Sequence, residues 1–137
     1  MKGLAHIAVA VRDIEEASRF YRDVLGLQSS GLETVPEQKV KVAFFSGGGA
    51  DVELLEPTSP DSPIAKFLET RGPGLHHLAF EVDDLEAEMK RLRGLGVSFI
   101  DSAPRPGSHG ARVAFIHPKS AGGVLVELCE RPSRRSP

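Results

Sequence analysis

The strongest constraint on this chain is that it repeats itself. His6–Glu15 (HIAVAVRDIE) laid over His77–Glu86 (HLAFEVDDLE), an offset of 71 residues, matches at five of ten positions and exchanges apolar for apolar at three more. The same offset sets Val42–Phe45 (VAFF) on Val113–Ile116 (VAFI), and an offset of 74 sets Val52–Glu56 (VELLE) on Val126–Glu130 (VELCE). Three blocks recurring in one order mark a duplicated supersecondary unit, which has to bury its apolar face against its twin. The change of offset falls in a turn, where Ser46–Asp51 (SGGGAD) is answered by the longer His117–Gly123 (HPKSAGG). Turns absorb such differences at little cost.

Hydrophobic periodicity predicts the same series of elements in each half. Leu4–Val11 and Leu75–Val82 alternate like strands. Asp13 with Glu16 starts a helix that runs to Leu25 before Gly26, and Asp83 or Asp84 starts its counterpart, which Gly96 stops. Three strands close each half: Gln28–Thr34, Val40–Ser46 and Val52–Glu56 in the first, and Val97–Asp101, Arg112–Ile116 and Val124–Leu128 in the second. Ser62, Pro63 and Gly72 bound a linking helix between the halves. The fold class is α+β, two tandem βαβββ modules in one domain over 1–137. Module one lies at about 1–57, the linking helix at about 62–72 and module two at about 74–131. The final Ser133–Pro137 is expected to be disordered.

Within this duplicated frame four residues stand where an apolar core would not choose them. His6 and Glu53 interrupt the strands of module one, and His77 and Glu127 take the equivalent places in module two. A carboxylate between Val126 and Leu128, or between Val52 and Leu54, needs a cation, a proton or solvent. Two imidazoles and two carboxylates suit a divalent transition ion such as Zn, Co, Ni, Mn or Fe better than Ca or Mg. A single histidine or strand glutamate is more often a packing or solvated residue. Here all four persist while neighbouring pairs such as Ala10 and Glu81 or Arg12 and Asp83 diverge. His76 is the competing ligand, but it aligns with Ala5, and strand alternation points it away from the face of His77.

Composition narrows the partners. A net charge of -2 with 26% charged residues gives no electrostatic case for nucleic acid, so a small molecule is the expected partner. The N-terminal MKGLAHIAVAVRD reaches Arg12 and Asp13 too early for a secretory signal, and no apolar run nears the ~18 residues of a membrane span, so a cytoplasmic location is expected. Cys129, the single cysteine, reads as a small core residue. Phe20 and Tyr21 also read as core. Lys119, Ser120 and Arg112 are candidate anion contacts, and His109 in GSHG sits in a candidate lid.

These motifs resemble the vicinal oxygen chelate superfamily and, within it, the methylmalonyl-CoA epimerase family. The resemblance runs through LAHIAVAVRD, FYRDVLGL, VPEQKVKVAF, VELLEP, SPIAKFLETRGPGLHHLAFEVDD and HPKSAGGVLVELCE. It implies a cupped mixed sheet around a metal held by His6, Glu53, His77 and Glu127, with Co²⁺ ahead of Mn²⁺, Ni²⁺ or Zn²⁺. It implies Glu37 (in VPEQ) and Glu127 as the two catalytic acid/base groups, an acyl-CoA substrate that Lys119 and Ser120 contact, and a homodimer. The implied reaction is epimerisation through a metal-stabilised enolate. A lyase of glyoxalase I type shares the ligand set and is the alternative; HPKSAGG and LETRGPGLHH are the segments that favour the epimerase. A catalytically silent binding module of this fold commonly lacks the full ligand set, and iron dioxygenases of this superfamily are usually longer.

Overall fold

The computed structural model describes residues 1–132, so the expectation for Ser133–Pro137 lies outside the described residues. Eight strands form one curled mixed sheet in the order β2-β3-β4-β1-β5-β8-β7-β6. Module one contributes β1 (Gly3–Ala10), β2 (Ser29–Val35), β3 (Val40–Phe45) and β4 (Asp51–Pro57); module two contributes β5 (Gly74–Glu81), β6 (Arg105–Pro106), β7 (Arg112–Ile116) and β8 (Val126–Glu130). Each module places its first strand parallel to its last, β1 on β4 and β5 on β8. The two halves join where β1 and β5 pair antiparallel at the sheet centre.

Helices form where sequence and capping agree. Asp13 caps α1 (Ile14–Arg19) by accepting the Glu15 and Glu16 amides at 3.0 and 3.1 Å. The helix then widens into a π-helical turn over Phe20–Val24 before Gly26 turns the chain at φ 75°. Ser62 caps the linking helix α2 (Pro63–Arg71), and Asp84 caps α3 (Leu85–Gly94). Strand alternation then sorts the side chains. On β4, Leu54 packs outward with Val11, Ile14 and Phe45 under α1, while Asp51, Glu53 and Leu55 line the inside of the cup. On β8, Leu128 packs outward with Leu85 and Met89 under α3, while Glu127 and Cys129 line the inside. Ile64 and Leu68 of α2 pack with Ala8, Val42, Phe44 and Leu55.

Two expectations are corrected. Val97–Asp101 is not a strand: Phe99 makes only an isolated bridge to Ile116. Ile100 donates to the Phe115 carbonyl, but the Asp101 carboxylate then accepts the Phe115 amide at 2.7 Å, satisfying locally a group that further strand pairing would use. Pairing resumes only at Arg105–Pro106. Phe20, the first residue of the π turn, is exposed rather than core, whereas Tyr21 is half-buried 5.9 Å from Phe45.

Leu54 is fully buried in the α1 cluster. Leu54→Ala is expected to destabilise the fold by about 2–5 kcal/mol, read as a lower denaturant midpoint with an unchanged slope.

Candidate metal centre

The centre forms on the β1–β5 seam because both strands carry a bulge at the same place in the repeat. Leu4 pairs with Phe80 and His6 with Ala79, leaving Ala5 as the extra residue on β1; Ala8 pairs with His77 and Val9 with Leu75, leaving His76 extra on β5. Such bulges re-aim the side chains beside them. His6 and His77 are buried and face each other with Nε2 atoms 3.1 Å apart and rings 5.3 Å between centroids. Glu127, also buried, reaches His6 Nε2 at 3.4 Å and His77 Nε2 at 3.8 Å. Ligand atoms of these three residues lie within 4.8 Å of one another.

The remaining ring nitrogens are occupied. His6 Nδ1 stands 2.9 Å from Glu53 Oε2, and His77 Nδ1 stands 2.8 Å from His76 Nδ1. Glu53 is therefore buried beside the centre but outside the converging trio. If each histidine spends its proton on that outer partner, two Nε2 lone pairs face each other at 3.1 Å. Only a cation or an added proton between them relieves that repulsion, so the donor set fits a divalent ion.

Titration follows the same logic. Burial opposes charge on His6, but its hydrogen bond to Glu53 and the charges of Glu53 and Glu127 outweigh that and raise its pKa. Burial, with His6 and His76 adding to it, holds His77 well below the ordinary histidine range. Burial and Arg71 push His76 down to about 4. Burial pushes Glu127 up to about 7; the charge of His6 opposes the rise and that of Glu53 adds to it. The Cys129 thiol is pushed up to about 12 by burial first, which keeps it protonated and unreactive.

The cup around the centre has two lobes that share Gln38, Leu55 and His77. One, of about 390 Å³, holds His6, Glu53, Glu127, Cys129 and Arg131; the other, of about 360 Å³, holds Glu37, His76, Arg105 and Phe115. The carboxylates implied as acid/base groups thus sit in different lobes. Glu37 is exposed on a 3₁₀ turn, Pro36–Gln38, where Lys39 at φ 54° ends the turn. His109, strained at φ 56°, stacks on Phe44 at 4.1 Å and its amide donates to Glu33 at 2.9 Å, so this loop of module two straps onto module one over the first lobe.

Other sequence candidates are not brought to the cup. Lys119 and Ser120 are exposed and line neither lobe; the Ser120 hydroxyl accepts the Ser98 amide at 2.9 Å. Arg112 is paired with Glu86 and Glu130 on the outer surface. His76 does not point away from His77, because the bulge breaks the alternation on which that expectation stood. Sequence reasoning also missed Arg105, whose guanidinium lies 5.5 Å over the Phe115 ring. Its Nε is 3.2 Å from Asp101, yet the N–H is not aimed at that oxygen and finds no acceptor among the described residues. No local motif marks it; only the pairing of β6 with β7 brings it inside.

A family model described as Glyoxalase/Bleomycin resistance protein/Dioxygenase superfamily matches residues 5–115, most of the two modules. The chain belongs to that superfamily. Within it, the chain is 46% identical over 126 residues to the mitochondrial methylmalonyl-CoA epimerase of Mus musculus, covering 91% of this chain and 71% of the relative. The crystal structure of methylmalonyl-CoA epimerase from Mycobacterium tuberculosis matches with a TM-score of 0.92 at 41% identity, over 96% of this chain and 89% of that one. A methylmalonyl-CoA epimerase in complex with methylmalonyl-CoA and NH4+ matches with a TM-score of 0.92 at 37% identity, over 100% and 99% of the two chains. In this superfamily member the His-His-Glu group is able to bind a metal.

Because Glu127 is pushed up to about 7, its carboxyl is protonated below that pH and a cation has to displace the proton. Co²⁺ affinity, measured by calorimetric titration, is therefore expected to fall about tenfold per pH unit below neutrality, and more steeply where His6 also carries a proton. A flat affinity between pH 5 and 7 would contradict the placement of Glu127 at the ion.

Proposed function

We propose that this chain is a methylmalonyl-CoA epimerase, an isomerase that inverts the carbon between the thioester and the carboxylate of methylmalonyl-CoA. The observation that carries the reading is the buried His-His-Glu centre in a cup whose two lobes hold Glu127 and Glu37, in a chain similar over most of its length to epimerases, one of them solved with that substrate. His6, His77 and Glu127 would hold a divalent ion, with Glu53 as fourth ligand once its carboxylate leaves His6. When bound, that ion supplies positive charge that polarises the thioester carbonyl and stabilises the negative charge left when the adjacent proton is removed.

The chain's own groups do the rest. Inversion needs a proton taken from one face of the carbon and returned to the other, so the two agents have to stand on opposite sides. Glu127 and Glu37 are the pair we assign, one from each lobe. Glu127, buried in the first lobe beside the two histidines, is assigned the proton on its side of the carbon. One of its oxygens suffices for the ion, leaving the other for the proton. Val35, Val42, Leu55, Val113 and Phe115 wall the two lobes with apolar surface, which keeps water from quenching the carbanionic state. Lys119 and Ser120, exposed outside the cup, are assigned to the coenzyme end of the substrate rather than its reacting end.

The finer parts of this reading are Co²⁺ as the ion, an acyl-CoA thioester as the partner, a homodimer, and the cytoplasm as location. The cytoplasm is supported by a lone, buried and unpaired cysteine.

Protein loaded with Co²⁺ in deuterated solvent is expected to exchange deuterium into C2 of methylmalonyl-CoA, followed by mass spectrometry. Absence of exchange together with turnover of methylglyoxal and glutathione would replace the epimerase reading by the glyoxalase one. Glu37→Gln is expected to lower kcat about 10²- to 10⁴-fold while Co²⁺ binding is unchanged. Equal kcat in the variant would remove Glu37 from the proton path.

A further inference from the structure

The two halves solve one local problem with different residues. Each metal-facing histidine has to keep its proton on Nδ1 so that Nε2 presents a lone pair to the centre. Before an ion is bound, the acceptor for that proton in module one is the Glu53 carboxylate, 2.9 Å from His6 Nδ1. In module two no carboxylate stands at the equivalent nitrogen; among the described residues the hydrogen-bond partner of His77 Nδ1 is the Nδ1 of His76, at 2.8 Å.

This contact exists because of the β5 bulge. His76 is the extra residue between the pairs Ala8–His77 and Val9–Leu75, so both imidazoles come to the same side and line the second lobe together. The rings meet edge-on, 5.1 Å between centroids at 79°, and Phe67 of α2 holds the far side of His76 at 5.0 Å in a second edge contact. The corresponding bulge residue in module one is Ala5, which has no acceptor to offer. Side-chain chemistry at the bulge is therefore specific to module two.

We propose that His76 is the positioning residue for His77: its Nδ1 accepts the Nδ1–H of His77, fixing the tautomer and ring plane that turn His77 Nε2 toward the metal centre. The inference rests on the reading of His6, His77 and Glu127 as that centre. His76 itself carries its proton on Nε2 and touches no ion. Phe67 makes the linking helix part of the support.

A packing role and a positioning role separate in two substitutions. His76→Phe keeps an aromatic ring against Phe67 and removes the acceptor, whereas His76→Asn places an amide oxygen near the position of Nδ1. In the metal-free protein, ¹⁵N NMR of the imidazoles is expected to show His77 as the Nδ1–H tautomer in the wild type and in His76→Asn, and as a mixture in His76→Phe. Calorimetric titration with Co²⁺ is expected to give a Kd about 10- to 100-fold weaker for His76→Phe, with His76→Asn recovering most of the loss. His76→Phe with wild-type tautomer and wild-type Kd would overturn the proposal. A wild-type protein that binds no Co²⁺ would contradict the metal centre instead, and the tautomer in the metal-free protein would still decide the role of His76.

Discussion

Everything in this structure depends on two imidazoles being driven together across the central seam. His6 and His77 face each other on β1 and β5, buried, with their Nε2 atoms 3.1 Å apart and their outer nitrogens already spent on Glu53 and His76. Two neutral rings so arranged repel unless something positive lies between them. A proton can serve, and His6 is the ring placed to take it: Glu53 and Glu127 outweigh its burial and raise it, while burial first holds His77 down. A divalent ion serves better, because it also satisfies Glu127, whose carboxyl burial otherwise holds in its neutral form up to about pH 7.

The sheet is the device that enforces this arrangement. Gene duplication alone places a histidine on β1 and another on β5; the antiparallel β1–β5 seam sets them opposite, and the paired bulges at Ala5 and His76 bring them into register with the inside of the cup. Period-2 alternation does the same for the acids, sending Glu53 and Glu127 inward while Leu54 and Leu128 anchor the helices outside. Each functional carboxylate is thus flanked by the apolar residues that hold its strand in place. The centre costs some stability in desolvated polar groups, and the helix-covered outer face offsets that cost.

Much of this was legible in the residues themselves. The repeat pointed to His77 rather than His76 as the partner of His6, the capping signals at Asp13, Ser62 and Asp83 or Asp84 located the three α-helices of the described residues, and VELLE against VELCE marked the two acids that are buried near them. The misses share one cause, side chains competing with the backbone ladder or being turned by it. Val97–Asp101 has strand-like composition, but the Asp101 carboxylate takes the amide that pairing would need. His76 obeys alternation in sequence and escapes it through a bulge, for which no residue pattern is a reliable signal. Phe20 carries helical spacing into a turn that is π and not α. Arg105 reaches the cup only through a two-residue strand that composition does not mark.

The central claim is that one histidine from each duplicated half binds a single ion through Nε2. X-ray absorption at the cobalt edge of the Co²⁺-loaded protein tests it most directly, because imidazole rings give a multiple-scattering pattern that carboxylates do not. The account predicts a first shell of nitrogen and oxygen with two imidazoles, and a loss of one imidazole in His6→Ala and in His77→Ala alike. A shell of oxygen alone, or one unchanged by either substitution, would contradict it.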